Sequence, residues 1–566
     1  MSVHGSIAYD SYYYSRKKYS KTFPYYLARR DAEDPDYIYL IPQSEESIWS
    51  VSTGWDKNRK VYMEFGIDYN RTFGLHKTTA LILYNQSKYY SPSLQYYVPN
   101  AYQGLVGRLT YEYASRYLAE FNMGYNGTEN FAKGKRFGFF PAVSLGWVIS
   151  EEKFFPKNNI VKYLKVRGSY GEVGNDQIGG DRFLYLPSSY GAASDSGVNK
   201  YNFGLASNPY TSLMIVENKI GNPDLTWEKA KKMNVGVDIN LFNNCLTASF
   251  DIFKEKRNNI LANRSTSPMI IGANLPAYNF GEMENRGWEM DLNFRHHIQD
   301  FHYWARFNYS FARNEIIYMD EVQKRYDYQM TTGRRKNQFF GLIFDGYYNS
   351  WEEINALDRP KSSWSGNQLQ PGDVKYVDVN QDGVIDDYDM VPIGYTPVPE
   401  IIYGFSFGAQ YKGFDFSILF QGADNVSIKY FGRSMWPFAK GEESAKSLIK
   451  ERWTQERYEA GEKITFPRLS LNPNGETDHN YRPSTLWIRD ASYLRLKNLE
   501  VGYTFTGGFV KRLNLNSVRL YFNGSNLFTW TDVVDLDPEA PSRSGNVEIN
   551  TYPLQKVYNI GLNINF

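Results

Sequence analysis

The sequence predicts an all-β protein: a transmembrane antiparallel up-and-down β-barrel with long extracellular loops. Three observations carry that reading. Apolar and polar residues alternate with period two in many successive segments, as in a ribbon with one dry and one wet side. Short and long connections take turns along the chain, which places turns at one end of a barrel and loops at the other. The last segment, Val557 to Phe566, alternates without a break and stops on an aromatic, as a closing strand at a lipid boundary would.

Composition bounds the alternatives. The 566 residues carry a formal net charge of +1, so neither nucleic acid nor a polyacidic substrate is expected as a partner. Mean hydropathy is −0.54, and no apolar run reaches the roughly 18 residues of a spanning helix. Aromatics make up 17%, led by 48 Tyr, which suits interfaces where one end of a side chain is dry and the other wet. The lone Cys245 excludes an intrachain disulfide and any cysteine metal cluster. Beside the Asn243-Asn244 turn it reads as a small strand residue. The opening MSVHGSIAYDSYYYSRKKYS lacks the apolar core of an export signal, and His4 to Tyr14 already reads as strand. A chain whose strands belong in an outer membrane is then expected to be the C-terminal part of a longer protein.

The elements follow in order. Val61, Met63, Phe65, Ile67 and Tyr69 oppose Tyr62, Glu64, Asp68 and Asn70. Ala119, Phe121, Met123 and Tyr125 oppose Glu120, Asn122 and Gly124. Val235, Val237, Ile239 and Leu241 oppose Asn234, Asp238 and Asn240. Trp288, Met290, Leu292 and Phe294 oppose Glu289, Asp291, Asn293 and Arg295, and the same holds for Ala305 to Phe311 and Val518 to Phe522. Such runs number about 16, and their wet face is too charged for the interior of a sandwich. Pairs 57–72/77–88, 230–243/245–256, 282–295/301–314 and 401–412/413–422 are joined by tight turns. Segments near 172–229, 259–280, 315–400, 423–492 and 527–553 are long loops. In 493–505, Leu494 and Leu496 share one parity while Leu499, Val501, Tyr503 and Phe505 share the other, so a β-bulge is expected at Lys497-Asn498.

One loop segment carries possible metal chemistry. Asp378, Asn380, Asp382, Asp386 and Asp389 stand at positions one, three, five, nine and twelve of an EF-hand-type pattern. Gly383 at six allows the sharp turn, and Val384 at seven would offer its carbonyl. Position twelve is Asp rather than the usual Glu, which shortens its reach, and no paired helices flank the loop. The expectation is a structural Ca²⁺ that stiffens an extracellular loop, against a plain Asn/Asp/Gly turn. Gly404-Phe405-Ser406-Phe407-Gly408 fits G-x-S-x-G, but alternation runs straight through it, so the strand-to-helix elbow that a nucleophile needs is not expected. The six histidines are scattered and no H-E-x-x-H occurs; an enzyme is not expected. Ala445, Leu448, Ile449 and Trp453 lie at helical spacing, which predicts one short helix packed within loop 441–458. Trp351, Trp364 and Trp436 read as loop packing ahead of sugar stacking.

Several stretches together resemble the SusC/RagA class of TonB-linked outer-membrane transporters: SLGWVISEEKFF (144–155), LKVRGSYGEVGND (164–176), NPDLTWEKAKKMNVGVDINLF (222–242), FGEMENRGWEMDLNF (280–294), GDVKYVDVNQDGVID (372–386), YLRLKNLEVGYTF (493–505) and LYFNGSNLFTWTD (520–532). The resemblance spans nearly the whole chain. It implies a barrel of about 22 strands, of which this chain would supply the last 16 or so, without the N-terminal plug. It also implies a SusD-like surface lipoprotein and TonB as partners, an outer-membrane location, and a glycan or peptide as cargo. No motif assigns a substrate-contacting residue. Two other readings compete: a passive 16-strand porin, and a soluble calcium-binding β-rich adhesin.

Overall fold

A computed structural model describes residues 1–566 apart from 31–33, 35, 37, 178–181, 188–190, 193–199, 206–209, 217–219, 267–274, 365–368, 431–435, 439–446, 471–478, 535 and 540–553. Sixteen strands form one antiparallel meander in which every strand pairs with its neighbours in chain order. They are β1 (Ser2–Ser20), β2 (Ser50–Phe73), β3 (His76–Tyr90), β4 (Asn100–Tyr113), β5 (Tyr117–Thr128), β6 (Phe137–Val148), β7 (Val161–Asn175) and β8 (Glu228–Leu241). The second half comprises β9 (Leu246–Ala262), β10 (Tyr278–Ile298), β11 (Phe301–Tyr318), β12 (Ile401–Tyr411), β13 (Phe414–Asp424), β14 (Tyr493–Phe505), β15 (Ser517–Thr531) and β16 (Val557–Asn565). Among the described residues β1 and β16 each have a single partner strand, so the sheet is open along that seam.

The predicted sorting of connections holds for most of the sheet, with two exceptions at the turn end, 149–160 and 506–516, which are longer than the loop-end connections 91–99 and 129–136. Pairs β2–β3, β4–β5, β10–β11 and β12–β13 are joined by two- or three-residue turns, while the opposite end carries segments such as 319–400 and 425–492. The expected bulge is present: Asn498 faces Leu419 and Leu496 faces Phe420, so Lys497 is the extra residue. Below it Leu499, Val501 and Tyr503 keep the outward parity that Leu494 and Leu496 hold above it.

The two faces differ as the alternation predicts. Phe65, Ile82, Tyr84, Leu145, Val235, Ile252, Phe407 and Ile560 are exposed side chains on one face. Among the described residues no second sheet covers them. Rings cluster at both ends of this apolar band: Tyr113 with Tyr117 and Phe414 with Tyr503 toward the short turns, Tyr125 with Phe137 and Trp288 with Tyr309 toward the loops. Two aromatic girdles around an apolar strip match the profile of a lipid bilayer.

The largest buried core lies among the loops. Leu342, Val374, Ile385, Ile428, Trp436, Trp453, Phe466, Tyr481 and Trp487 pack together, drawing on 319–400 and 425–492, and Val533 adds the start of the last loop. Trp436 is therefore packing, as expected, and Trp364 packs against the cluster beneath the Arg482 guanidinium. Trp351, in the helical turn Trp351–Asn355, is exposed. The single helix expected over 441–458 is corrected to two short pieces, Ser447–Glu451 and Gln455–Glu459. Thr454 caps the second by accepting from the Arg457 N–H, which fixes where that piece begins. Ile449 and Trp453 reach the core as their spacing implied, whereas Ala445 lies outside the described residues.

Candidate functional site

The wet face of the sheet is lined with ion pairs that run across strands. On β7, Arg167 donates to both oxygens of Asp251 at 2.7 and 2.6 Å and from Nε to Asp238 at 3.1 Å. On β15, Arg519 donates to Asp415 at 2.9 Å and to Glu500 at 2.6 Å, while Asn523 donates to the other Glu500 oxygen at 3.1 Å. Arg108 pairs with Glu120 at 3.0 Å, and Asn122 donates to the same carboxylate at 2.8 Å. Cross-strand neighbours on one face sit about 5 Å apart, so each cation reaches carboxylates on adjacent strands. The wall is polar but nearly charge-balanced. Such a wall can be wetted, and among the described residues the ion pairs named here place no nucleophile beside a base.

At the loop end of this wall, beneath segment 319–400, lies a recess of about 620 Å³ lined by Glu228, Glu255, Arg257, Asn285, Arg335 and Glu400 among others. Its size falls within the usual range of ligand pockets. Glu400 is the anchor of its roof. Arg313 grips it with Nε at 2.9 Å and Nη2 at 2.8 Å, Arg335 adds a second guanidinium, and Asn425 donates at 3.2 Å. Burial pushes the Glu400 carboxyl upward, yet the two arginines outweigh it and hold the group below its ordinary range.

Two more buried clamps tie loops down. Asp373 is gripped by Arg468 at 2.6 Å and by Asn480 at 2.7 Å, which joins 319–400 to 425–492. Arg495, on the wet face of β14 and 2% exposed, holds Asp537 at 2.8 Å and Thr529 at 2.9 Å, and pairs with Glu539. Glu539 also accepts from the Tyr493 hydroxyl at 2.6 Å and from Gln421 at 3.1 Å. The start of the last loop is thus strapped to the inside of the wall. Sequence reasoning missed these clamps, because an arginine at a lumen position does not announce a carboxylate partner dozens of residues away.

The calcium-type loop sits on the outside of the loop core, with Ile385 of its eighth position buried in that core. Gly383 has φ +80°, the left-handed geometry the pattern requires. Lys361 and Ser363 N–H groups take the carbonyls of Gly383 and Ile385 at 2.9 and 3.0 Å. Carbonyls of an extended segment alternate in direction, so that of Val384 is directed away from the strand that these two bonds hold. The side chains bind their own backbone: Asp378 accepts from Gly383 at 2.8 Å, Asn380 from Asp382 at 2.9 Å, Asp382 from Val384 at 2.9 Å and Asp386 from Tyr388 at 2.7 Å. Asp389 is fully buried and accepts from Val379 at 2.8 Å and Asp386 at 2.9 Å. Burial dominates its environment and raises its pKa, with Asp378 adding to the shift. Oδ1 of Asp378 is buried with no hydrogen-bond partner. Among the described residues no three His, Cys, Asp or Glu side chains already converge as a cage.

The remaining motifs resolve plainly. Ser406 lies mid-strand, opposite Arg306 and Leu419 in unbroken ladders, so no nucleophile elbow exists there. His479 is a buried structural residue, bonded to Ser362 at 2.9 Å and to the Val374 carbonyl at 2.8 Å. Cys245 is a free thiol at its turn, 3.8 Å from His296.

An apolar outward face, an ion-paired inward face and connections sorted by length define the class: the wall of an outer-membrane-type β-barrel. The chain belongs to the TonB-dependent receptor-like β-barrel family, whose pattern matches residues 3–527. Proteins of this family are transporters of the outer membrane and not enzymes. Similar relatives include TonB-dependent receptor P3 of Formosa agariphila, 28% identical over 479 residues, or 81% of this chain and 45% of the relative. TonB-dependent receptor SusC of Bacteroides thetaiotaomicron is 28% identical over 477 residues, 83% of this chain and 44% of the relative. The chain therefore spans about half the length of these relatives. Among solved structures, the RagAB peptide importer in its closed-closed state superposes with a TM-score of 0.72 at 20% identity, covering 100% of this chain and 60% of that one.

Proposed function

We propose that the chain forms the barrel wall and mouth of a TonB-dependent outer-membrane transporter that imports glycan or peptide nutrients together with a SusD-like surface lipoprotein. The observation that carries this reading is the sixteen-stranded meander with lipid-compatible residues outside and ion pairs inside. The relatives are about twice as long, and in this reading the plug and the contact with TonB belong to their remaining portion, without which the wall does not pump. The recess under segment 319–400 is the natural place for cargo to pause. Deleting the coding region should abolish growth on one class of oligosaccharide or peptide, and affinity capture should retain a lipoprotein. Steady open-channel conductance in planar bilayers from this chain alone would support the passive porin instead, and folding in buffer without detergent the soluble adhesin.

We further propose that Asp378, Asn380, Asp382, Asp386 and Asp389, with the Val384 carbonyl, hold a structural Ca²⁺. The donors are hard oxygens at EF-hand spacing, Asp389 is a carboxylate buried without a cation, and one Asp378 oxygen lacks a partner. The ion would offset the mutual repulsion of the loop's acids and stiffen 378–389 against the core. Millimolar Ca²⁺ should lower cleavage of 372–392 by protease. Unchanged cleavage between chelator and Ca²⁺ would reject the site.

A further inference from the structure

We infer that the outward face of β1–β3, just above the apolar band, is a docking surface for phosphate-bearing lipid headgroups of the surrounding leaflet. This rests on the membrane placement proposed above. The outward parity is set by exposed Ile7, Tyr9, Phe65, Ile82 and Tyr84. Followed toward the loops on the same parity, it changes from apolar to cationic. Lys88 lies beside Val61, Arg59 sits beside Tyr90, Lys57 comes next beside Tyr13, and Lys17 is farther up beside Thr53. With strands about 4.8 Å apart and a rise of about 3.4 Å per residue, Lys57, Arg59 and Lys88 fall within about 14 Å of one another.

Charge balance separates this panel from the rest of the barrel. Along β1–β6 the outward parity contains no Asp or Glu at all. The cations there pair with no carboxylate among the described residues; Lys57 lies over Trp55 at 5.6 Å and Arg59 over Tyr90 at 4.5 Å. On later strands outward carboxylates appear at the same end and several outward cations pair with them, although Arg286, beside Lys254 and Arg313, has no ion pair among the described residues. Lys229 meets Glu172 at 3.8 Å, Lys254 meets Glu284 at 2.9 Å and Lys256 meets Glu282 at 2.9 Å. Exposed cations left unneutralised at the rim of an apolar band attract anions fixed at that depth, and long stems let the charges reach outward from it. Trp55, Tyr9, Tyr13 and Tyr90 supply amphipathic rings at the same level. The chemistry fits a headgroup carrying more than one phosphate.

The test uses chain purified from outer membranes and probed with a bisphosphorylated glycolipid of the lipid A type, its dephosphorylated form and inorganic phosphate. Insertion into phosphatidylcholine vesicles is scored first, because it reports the membrane reading alone. The variant Lys57→Gln/Arg59→Gln/Lys88→Gln should insert as wild type does, yet lose affinity for the phosphorylated lipid by on the order of 100-fold at low salt, from about 1 kcal/mol per cation. Lys254→Gln/Lys256→Gln should change nothing. Equal retention by the triple variant, equal binding of the dephosphorylated lipid, or displacement by millimolar inorganic phosphate would each overturn the inference.

Discussion

Arg495→Met should release the last loop from the inside of the wall. The guanidinium is 2% exposed, while Asp537 and Glu539 are 12% and 23% exposed. Removing one partner of a buried pair leaves the other carboxylates uncompensated, at a cost of about 3–5 kcal/mol. The lower end applies, because Glu539 keeps the Tyr493 hydroxyl, Gln421 and Lys497 at 3.7 Å. About 3 kcal/mol is on the order of a 100-fold change in the opening equilibrium of the strap. Hydrogen exchange at 533–539 should accelerate by that factor, while exchange in β14 and β15 stays within a few-fold of wild type. Replacing the trio together, Arg495→Met with Asp537→Leu and Glu539→Leu, should recover much of the protection, since no buried charge is then stranded. Unchanged exchange in the single variant would show that Arg495 does not hold the loop, and the reasoning would fail.

Glu400 gives a pH dependence. Its folded pKa lies below the unfolded value of 4.5, so its clamp contributes stability above that value and loses it as pH falls through the folded pKa. Protease sensitivity of 319–400 should rise under acid, and Glu400→Gln should flatten the response. Deleting Lys497 should be tolerated, because without the bulged residue Leu494, Leu496, Leu499 and Val501 share one continuous parity. Deleting Ser417, which has no bulge, would turn Phe414 and Phe416 inward at about 3–6 kcal/mol for two large side chains. Heat-modifiable gel migration, which reports folded barrel, should separate the two deletions. Trp487→Ala should cost about 3–5 kcal/mol and raise exchange in 342–376 and 426–430 together; a response confined to one loop would refute a shared core.

The wall was legible because lipid and lumen impose opposite demands on alternate residues, and that period is written directly in the chain. The Lys497 bulge was legible for the same reason: a change of parity inside one strand has few other physical solutions. The clamps were not. Arg495 and Asp537, or Asp373 and Arg468, meet only because loops fold back over one another, and nothing periodic records such a meeting. The helix over 441–458 failed at its boundaries: the spacing of Ile449 and Trp453 was real, but Thr454 offered a cap that begins a second piece. For the calcium-type loop, residue spacing supplied the donors and the glycine, while the burial of Asp389 came only from its seat on the loop core.

The position of the core decides what the sheet is for. In a water-soluble sandwich the apolar parities of two sheets face each other and form the interior. Here the residues of the main cluster lie in 319–400, 425–492 and the first turn after β15, whereas the apolar parity of the strands stays uncovered. An uncovered strip this large would drive aggregation in water, so its solvent must be apolar, and the strands must draw their stability from ladders and inward ion pairs. The loops have the opposite problem: they stand in water and need a core of their own. That is why they share one, tied across its two main segments at Asp373, and why the clamps at Glu400 and Arg495 bind this loop body to the mouth of the wall. A recess roofed by such a body depends for its shape on how that body is held, so substitutions at the Glu400 and Arg495 clamps should alter the recess more than substitution of any single lumen residue.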